Sequence, residues 1–549
     1  MPMLRDALRD AVAGARRSAI EAGDLVLPDG ASPDALPPVS IERPARPEHG
    51  DYATNAAMQL APVVRAAPLA IAEAIRSHIE LPDGVAEATV ERPGFLNFRL
   101  DPAWVGGQVA TIRDAGDRWG RVQVAEPQKI NVEFVSANPT GPLTVGNARG
   151  AFVGDLLCRV LEGAGHEVTR EYYFNDAGAQ IENLGRSVLA RRAGEEVPED
   201  GYHGDYVRDL SARLPDAVLD DPDRVVAASR WATETIRAGI ERSLERLGVR
   251  FDVWTSEASV RGEGWVDRGV ERLREAGYLY EDGGATWFRA TAFGDEKDRV
   301  VYRSNGQPTY FAADIGYISQ KFSRGFDQLI YIWGADHHGT VARNRAAAQA
   351  LGHDASAVHW LLIAWVRFVR DGVEMSMSKR AGEFVTLDEL LAEIGVDAAR
   401  WFFGSRATTS GIDFDIELAK RQSNENPVYY VQYAHARCSS ILRNAASASV
   451  TPDATAGAEL LHHPAEQTLI RELLRLPEVV TDSAARRETH DVPRYAHDLA
   501  GHFSQFYRDC RVLSEDARLS ATRLALVDAT RQVLANALRL MGISAPEAM

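Results

Sequence analysis

Apolar positions recur along this chain in two rhythms. Residues 130–135, 168–174 and 329–333 are short apolar-rich runs with β-branched or aromatic residues, bounded by turn residues, and they predict buried strands. Between residues 146 and 162, Phe152, Val153, Leu156, Leu157, Val160 and Leu161 recur at helical spacing, and the glycines at 163 and 165 predict the stop. Residues 129–176 therefore read as one β-loop-α-β unit, with turn chemistry at 136–143. Residues 179–250 predict mostly helix. A strand is expected near 251–255, with a helix starting at Ser256. Residues 278–289 predict a hairpin turning at Asp282-Gly283-Gly284. A second hairpin-like unit then runs into a helix at about 309–320. From about Asn424 the pattern is helical, with periodic stretches near 468–480, 496–513 and 522–541, which fits a bundle of five or six helices. At the other end, helices near 3–23 and 61–79 flank a Pro-rich segment, and a strand-like run follows at 88–100.

This pattern divides the chain into an α/β multidomain protein with a Rossmann-type parallel-sheet core carrying insertions. The expected divisions are an N-terminal α/β domain at 1–115, a polar linker at 116–127, the core at 128–365, a connecting region with a basic loop at 366–424, and a helical domain at 425–549. No run of about 20 apolar residues occurs, so no membrane-spanning segment is expected. The first 19 residues are amphipathic, with Asp6 and Asp10 in place of the apolar core of a secretion signal, and a cytoplasmic location is expected. Cys158, Cys438 and Cys510 are too few and too far apart for a disulfide framework or a zinc cluster. The net charge of −17 argues against a broad nucleic-acid surface, but not against a local one. The segment from Glu425 onward carries 13 Arg and no Lys against 15 Asp and Glu, so it is nearly neutral and the rest of the chain holds most of the negative charge.

Several positions carry candidate chemistry. Gly146, Gly150 and Gly154 lie four apart, roughly on one helix face. Each costs helix stability, about 1 kcal/mol relative to alanine, so something comes close to the backbone there. Tight packing on the sheet is one reading. A nucleotide phosphate or ribose at the helix start, where free N–H groups and the dipole favour an anion, is the other. The spacing is neither G-x-G-x-x-G nor a P-loop. The loop at Asn175-Asp176-Ala177-Gly178 follows a strand, at the edge where open α/β sheets bind ligands. Tyr310, Asp314 and Tyr317 share a helix face, an arrangement suited to a cation and also consistent with a solvated acid. His337 and His338 are adjacent, so they do not share a face, and no third ligand has metal-binding spacing. Phe95 and Phe98 are either a core pair or an exposed aromatic platform.

The stretch SANPTGPLTVGNARGA resembles the nucleotide-binding signature of class I aminoacyl-tRNA synthetases in the form found in arginyl-tRNA synthetases. The four signature positions are Thr144-Val145-Gly146-Asn147; the family usually has His at the first and last. About 230 residues later, Met377-Ser378-Lys379-Arg380 resembles the second signature, a lysine-bearing loop, with Ser376 where the family often has Lys. The resemblance implies catalytic roles for Thr144, Gly146, Asn147, Ser378 and Lys379. It implies ATP contacts from Pro139, Thr140, Gly141, Val145, Gly334, Asp336, His338, Met377 and Arg380. Arginine contacts are implied for Ser136, Asn138, Glu257, Tyr310 and Asp314, and tRNA contacts for Phe95, Asn97, Tyr433, His435 and Arg437. The implied reaction is ATP-dependent activation of L-arginine and its transfer to tRNA(Arg), with Mg²⁺ accompanying ATP, by a monomer. An always-charged, planar guanidinium asks for carboxylates in its pocket, which suits Glu257 and Asp314. Threonine and asparagine still donate hydrogen bonds but carry no charge. Their presence leaves an alternative open: a tRNA-binding paralogue that does not activate an amino acid.

Overall fold

The computed structural model describes residues 3–29, 32, 35–370, 372–374 and 385–549. The first part of the chain packs helix α1 (Leu4–Glu21), strand β1 (Tyr52–Thr54), helices α2 (Ala56–Val64) and α3 (Pro68–Ser77), strands β2 (Val85–Glu91) and β3 (Phe95–Leu100), and helix α4 (Pro102–Ala115). Its antiparallel sheet has the order β1-β3-β2. The single helix expected near 61–79 is two. Arg65 closes α2 in the left-handed region at φ 53°, and Pro68 opens α3 in its first turn, where a residue without an N–H costs nothing. Helix α4 was not expected. Asp101 caps it by accepting from the Ala103 N–H at 2.8 Å.

The core is a five-stranded, all-parallel sheet in the order β11-β10-β4-β5-β6. Strand β4 (Lys129–Glu133) leads through α5 (Val145–Gly163) to β5 (Glu167–Phe174). A helical insertion follows: α6 (Ala179–Ala193), α7 (Asp205–Arg213), α8 (Asp216–Leu219) and α9 (Arg224–Arg246). Strand β6 (Val253–Ser256) is followed by α10 (Glu257–Gly262), α11 (Trp265–Glu275), and a small antiparallel sheet of β7 (Leu279–Asp282), β8 (Ala285–Phe288) and β9 (Arg299–Tyr302). Helix α12 (Tyr310–Ser323) returns the chain to β10 (Gln328–Gly334), and α13 (His338–Ala350) leads to β11 (Val358–Ile363). The chain leaves β4 toward β5 on one side, while β10 lies on the other. The crevice between their carboxyl ends is thus a topological switch point, where such sheets bind ligands.

Strands β12 (Val366–Arg370), β13 (Val373–Glu374) and β14 (Ile412–Asp415) form a third small sheet, joined to helices α14 (Leu387–Ile394), α15 (Val396–Gly404) and α16 (Ile416–Lys420). The helical domain comprises α17 (Pro427–Ser447), α18 (Pro464–Leu473), α19 (Leu476–Arg486), α20 (Asp491–Asp509) and α21 (Ala517–Leu540). The periodic stretch at 468–480 is broken between α18 and α19, with Pro477 in the first turn of the second. Cys158, Cys438 and Cys510 are all buried.

Two seams hold these parts together. Glu478 on α19 accepts from Arg43 at 2.7 and 2.9 Å and from the Tyr52 hydroxyl at 2.6 Å, while Asp51 accepts from Arg471 at 2.6 Å. This latches the N-terminal domain onto the helical one. At the second seam Arg400 is 4% exposed. It donates to the Leu247 carbonyl at the end of the insertion, to Asp155 of α5 at 2.8 Å, and to the Met541 carbonyl at 2.9 Å.

Candidate active site

The loop that carries β4 into α5 is bent by backbone strain. Val135 and Ser136 have φ of 67° and 43°, unusual for a β-branched residue and its neighbour. The neighbours fix this turn. Ser136 Oγ donates to Glu133 at 3.2 Å and accepts from the Tyr173 N–H at 3.1 Å. The Tyr172 hydroxyl donates to the Ala137 carbonyl at 2.8 Å and accepts from its N–H. Asn138 bridges to the β5 loop, accepting from the Asn175 N–H and donating to Gln180 at 3.2 Å. Tyr206 in the insertion donates to the Thr140 carbonyl at 2.7 Å, and its ring lies over Gly141.

At the start of α5 the two unusual signature residues bond each other. Asn147 Oδ1 accepts from the Thr144 N–H at 3.1 Å and from the Thr144 hydroxyl at 3.2 Å. A backbone N–H only donates, so the asparagine oxygen must face it, and Nδ2 with its two hydrogens is turned the other way. Nδ2 has no protein partner among the described residues. The three glycines divide between the two readings left open by the sequence. A Cβ on Gly154 would sit 2.3 Å from the Phe134 ring, so that glycine serves packing. A Cβ on Gly146 or Gly150 would meet nothing closer than 3.4 and 4.0 Å, so these two leave the helix start open. One turn on, Arg149 is 1% exposed and has no carboxylate partner among the described residues; its terminal nitrogens donate to the carbonyls of Ala364 and Ala407, both at 2.8 Å. Burial lowers this guanidinium to about 10, which still leaves it charged at neutral pH.

The chain that follows the second signature returns to this helix start. Thr144 and Thr386 form an antiparallel bridge, Leu387 N–H donates to the Leu143 carbonyl at 2.9 Å, and Val145 N–H donates to the Val385 carbonyl at 3.3 Å. Met377, Ser378, Lys379 and Arg380 themselves lie outside the described residues. Gly334 ends β10 at the sheet crevice; a Cβ there would strike the Asp336 carboxylate at 2.3 Å, and both Asp336 and His338 are exposed.

At the carboxyl edge of the same sheet lies an acidic floor. Glu257 opens α10, 6% exposed, and accepts from Arg261 Nε at 3.0 Å and from its terminal nitrogen at 2.6 Å. Ser256 caps the same helix and donates to Asp176 at 2.6 Å, which fixes the loop after β5. Asp314 on α12 is closely surrounded by protein, yet 37% of its side chain stays open; Arg343 is 3.8 Å away. Burial pushes the Asp314 carboxyl up to about 7. Arg343 and a bond from Asn344 oppose the shift, and the charges of Glu133 and Glu257 add to it. The face shared by Tyr310, Asp314 and Tyr317 runs from rim to core: Tyr310 is 68% exposed, whereas Tyr317 is buried and donates to Glu171 at 2.7 Å.

Groups that sequence reasoning did not single out complete the floor. The Tyr173 hydroxyl bonds Glu257 and faces Asp314 and Glu133; burial, then these three charges, push it well above the usual tyrosine value. Lys321 is fully buried, 2.6 Å from Glu133 and over the rings of Tyr317 and Tyr331. Glu171 accepts from Asn131, Thr255, Tyr317 and Arg324. Burial alone would raise its carboxyl, but Lys321, Arg324 and the hydroxyl donors hold it at about 2. A glutamate inside the apolar run at 130–135 was the one available sequence signal.

Three family models match the chain in succession: "Arginyl tRNA synthetase N terminal domain" over residues 3–100, "tRNA synthetases class I (R), catalytic domain" over 109–200 and 219–403, and "DALR anticodon binding domain" over 431–549. The arginine–tRNA ligase of Desulforudis audaxviator is 48% identical, covering 100% of both chains. That of Moorella thermoacetica is 48% identical over 100% of this chain and 98% of its own. The chain belongs to the arginyl-tRNA synthetases. The solved arginyl-tRNA synthetase of Thermus thermophilus superposes with a TM-score of 0.76 over 100% of both chains, at 26% identity.

For an arginyl-tRNA synthetase, the surfaces expected to meet RNA are only partly open here. Phe95 is 37% exposed beside the Pro93-Gly94 turn. Phe98 is in the core. Asn97 is 4% exposed, covered on a sheet between β1 and β2, so the expectation that it bonds a base does not hold for this arrangement. His435 is 2% exposed and its Nδ1 is spent on the Pro546 carbonyl at 2.8 Å; it anchors the end of the chain instead of facing RNA. Tyr433 and Arg437, in contrast, line a groove of about 660 Å³ with Tyr429, Tyr430 and Phe503. Tyr429 stacks parallel on Tyr433, and the Arg437 guanidinium lies over the rings of Tyr433 and Tyr507.

Proposed function

We infer that this chain is an arginine–tRNA ligase that works in two steps. In the first, a carboxylate oxygen of L-arginine attacks the α-phosphorus of ATP; a P–O bond forms and pyrophosphate leaves. In the second, a hydroxyl of the terminal adenosine of tRNA(Arg) attacks the carbonyl carbon of the adenylate, its proton is lost, and AMP leaves. The observation that carries this reading is that the open start of α5, crossed by the chain that follows the second signature, and the acidic floor of Glu257 and Asp314 belong to the same carboxyl edge of the parallel sheet.

In this reading the Gly146 N–H at the start of α5 and the outward Nδ2 of Asn147 meet the phosphates, with Thr144 holding the asparagine. Gly146 and Gly150 let the nucleotide approach the backbone, the segments 139–141 and Gly334–His338 flank it, and Lys379 supplies charge to its phosphates. ATP enters as its Mg²⁺ complex, with the ion carried by the phosphates. Glu257 and Asp314 take the guanidinium, Tyr310 covers it from the rim, and Ser136 and Asn138 hold the amino-acid end. A neutral isostere brings no charge to the two acids, and an ammonium cannot fill the planar fork. Tyr433 and Arg437 stack on an unpaired base, and Phe95 offers a second platform.

The test is ATP–pyrophosphate exchange with arginine, with and without tRNA(Arg), using lysine and citrulline as controls. Exchange with arginine alone among the three supports the reading. Folded protein that binds tRNA(Arg) yet exchanges nothing in any condition is an RNA-binding paralogue, and the reading is then wrong.

A further inference from the structure

Glu257 is the buried acid of the arginine pocket, and its immediate surroundings are crowded with like charge. Asp314 on α12 and Glu133 at the end of β4 both face the Tyr173 hydroxyl that bonds it. Each of the three acids has its own cation. Lys321 meets Glu133 at 2.6 Å, Arg343 lies 3.8 Å from Asp314, and Arg261 meets Glu257 at 2.6 Å. The Arg261 contact is lopsided: both its Nε and its terminal nitrogen reach the same atom, Oε1, at 3.0 and 2.6 Å.

A carboxylate oxygen accepts about two hydrogen bonds, so Oε1 is filled from within the protein. Oε2 takes no bond from Arg261, while the Tyr173 hydroxyl bonds the same carboxylate. A fork-to-fork pair between Arg261 and Glu257 would have taken one bond on each oxygen and left neither oxygen whole for a ligand. The one-sided grip instead fixes the rotamer of a side chain that is 6% exposed and leaves its second oxygen for the incoming cation. Arg261 itself reaches the surface, with 35% of its side chain exposed. Its loss therefore opens no cavity in the core.

We propose that Arg261 is a positioning residue for arginine recognition: it clamps Oε1 of Glu257 so that Oε2, together with Asp314, presents to the substrate guanidinium. The proposal rests on the assignment of Glu257 and Asp314 as the arginine pocket. It differs from a competitor role, in which Arg261 would stand in for the substrate and have to be displaced.

The experiment is pyrophosphate exchange by the full-length protein with tRNA(Arg) present, for the unsubstituted chain, Arg261→Ala and Arg261→Lys, with thermal melting of each. Arg261→Ala is expected to raise KM for arginine about tenfold, leave kcat and KM for ATP within about twofold, and melt as the unsubstituted protein does. Arg261→Lys should recover much of the loss, because an ammonium can still hold Oε1. An arginine KM that falls in Arg261→Ala identifies a competitor and overturns the proposal. An unchanged KM, or a uniform loss in kcat, both KM values and melting temperature, overturns it as well. If the unsubstituted protein shows no arginine-dependent exchange, the functional reading itself fails, which separates the two outcomes.

Discussion

In the proposed pocket, Asp314 ties arginine affinity to pH. Its carboxyl titrates at about 7 because it is buried among like charges, and a guanidinium binds only its ionised form. Below that value the free pocket must lose a proton before arginine can pair with it. The KM for arginine is therefore expected to rise about tenfold as pH falls from 8 to 6, and Asp314→Asn should flatten that profile while raising KM throughout. For stability the sign is opposite to that of a salt-bridged acid. A folded-state value above the unfolded one favours the native state below about pH 4, and this contribution is lost as pH rises through about 7. Asn147 offers a second test at this scale. Asn147→Asp keeps an acceptor for the Thr144 N–H and suits the helix dipole, so the fold should hold. It removes the Nδ2 donor and places an anion toward the phosphates. Exchange activity should fall about 100-fold or more, measured at saturating arginine.

Helix α5 separates packing from function along one face. Gly154→Ala drives a methyl into the Phe134 ring and should cost about 1–3 kcal/mol, read as a lower melting temperature. Gly150→Ala meets no close atom and removes a helix-weakening glycine, so it should stabilise the fold by up to about 1 kcal/mol while raising KM for ATP. The β4-α5-β5 unit was legible because its strands are buried between layers and its helix repeats apolar residues over five turns. Helix α4 was not, since Gly106 and Gly107 interrupt its pattern; Gly106 is there because the Ala458 carbonyl lies where its Cβ would be, a contact visible only in the fold. The break between α2 and α3 was missed because apolar residues continue on both sides of Pro68. At the site, single motif residues could be read along the chain, but their supports could not. Lys321 and Glu133 lie 188 positions apart, and a buried lysine looks in sequence like any surface one. Asn97 and His435 fail as RNA contacts for the same reason: covering strands and a chain terminus have no local signature.

At the scale of the whole molecule the N-terminal and helical domains share a buried charge. Glu478 sits under Arg43 and Tyr52, whose ring also carries the Arg43 guanidinium at 4.5 Å. Arg43→Met leaves that carboxylate buried without its cation, which should cost about 3–5 kcal/mol. Chemical denaturation should then show the N-terminal part melting ahead of the rest, and limited proteolysis should cut first near residues 22–50. The other seam bears on how the molecule is made. Arg400 needs Asp155 and Leu247, which precede it, but also Met541, which follows 141 residues later. Glu478 likewise completes a contact begun at Arg43, 435 residues earlier. During vectorial synthesis α5 thus sits over an unfinished guanidinium until Met541 has been made. A nascent chain stalled before Met541 should therefore hold α5 and the sheet beneath it in a looser state than one extended past that point.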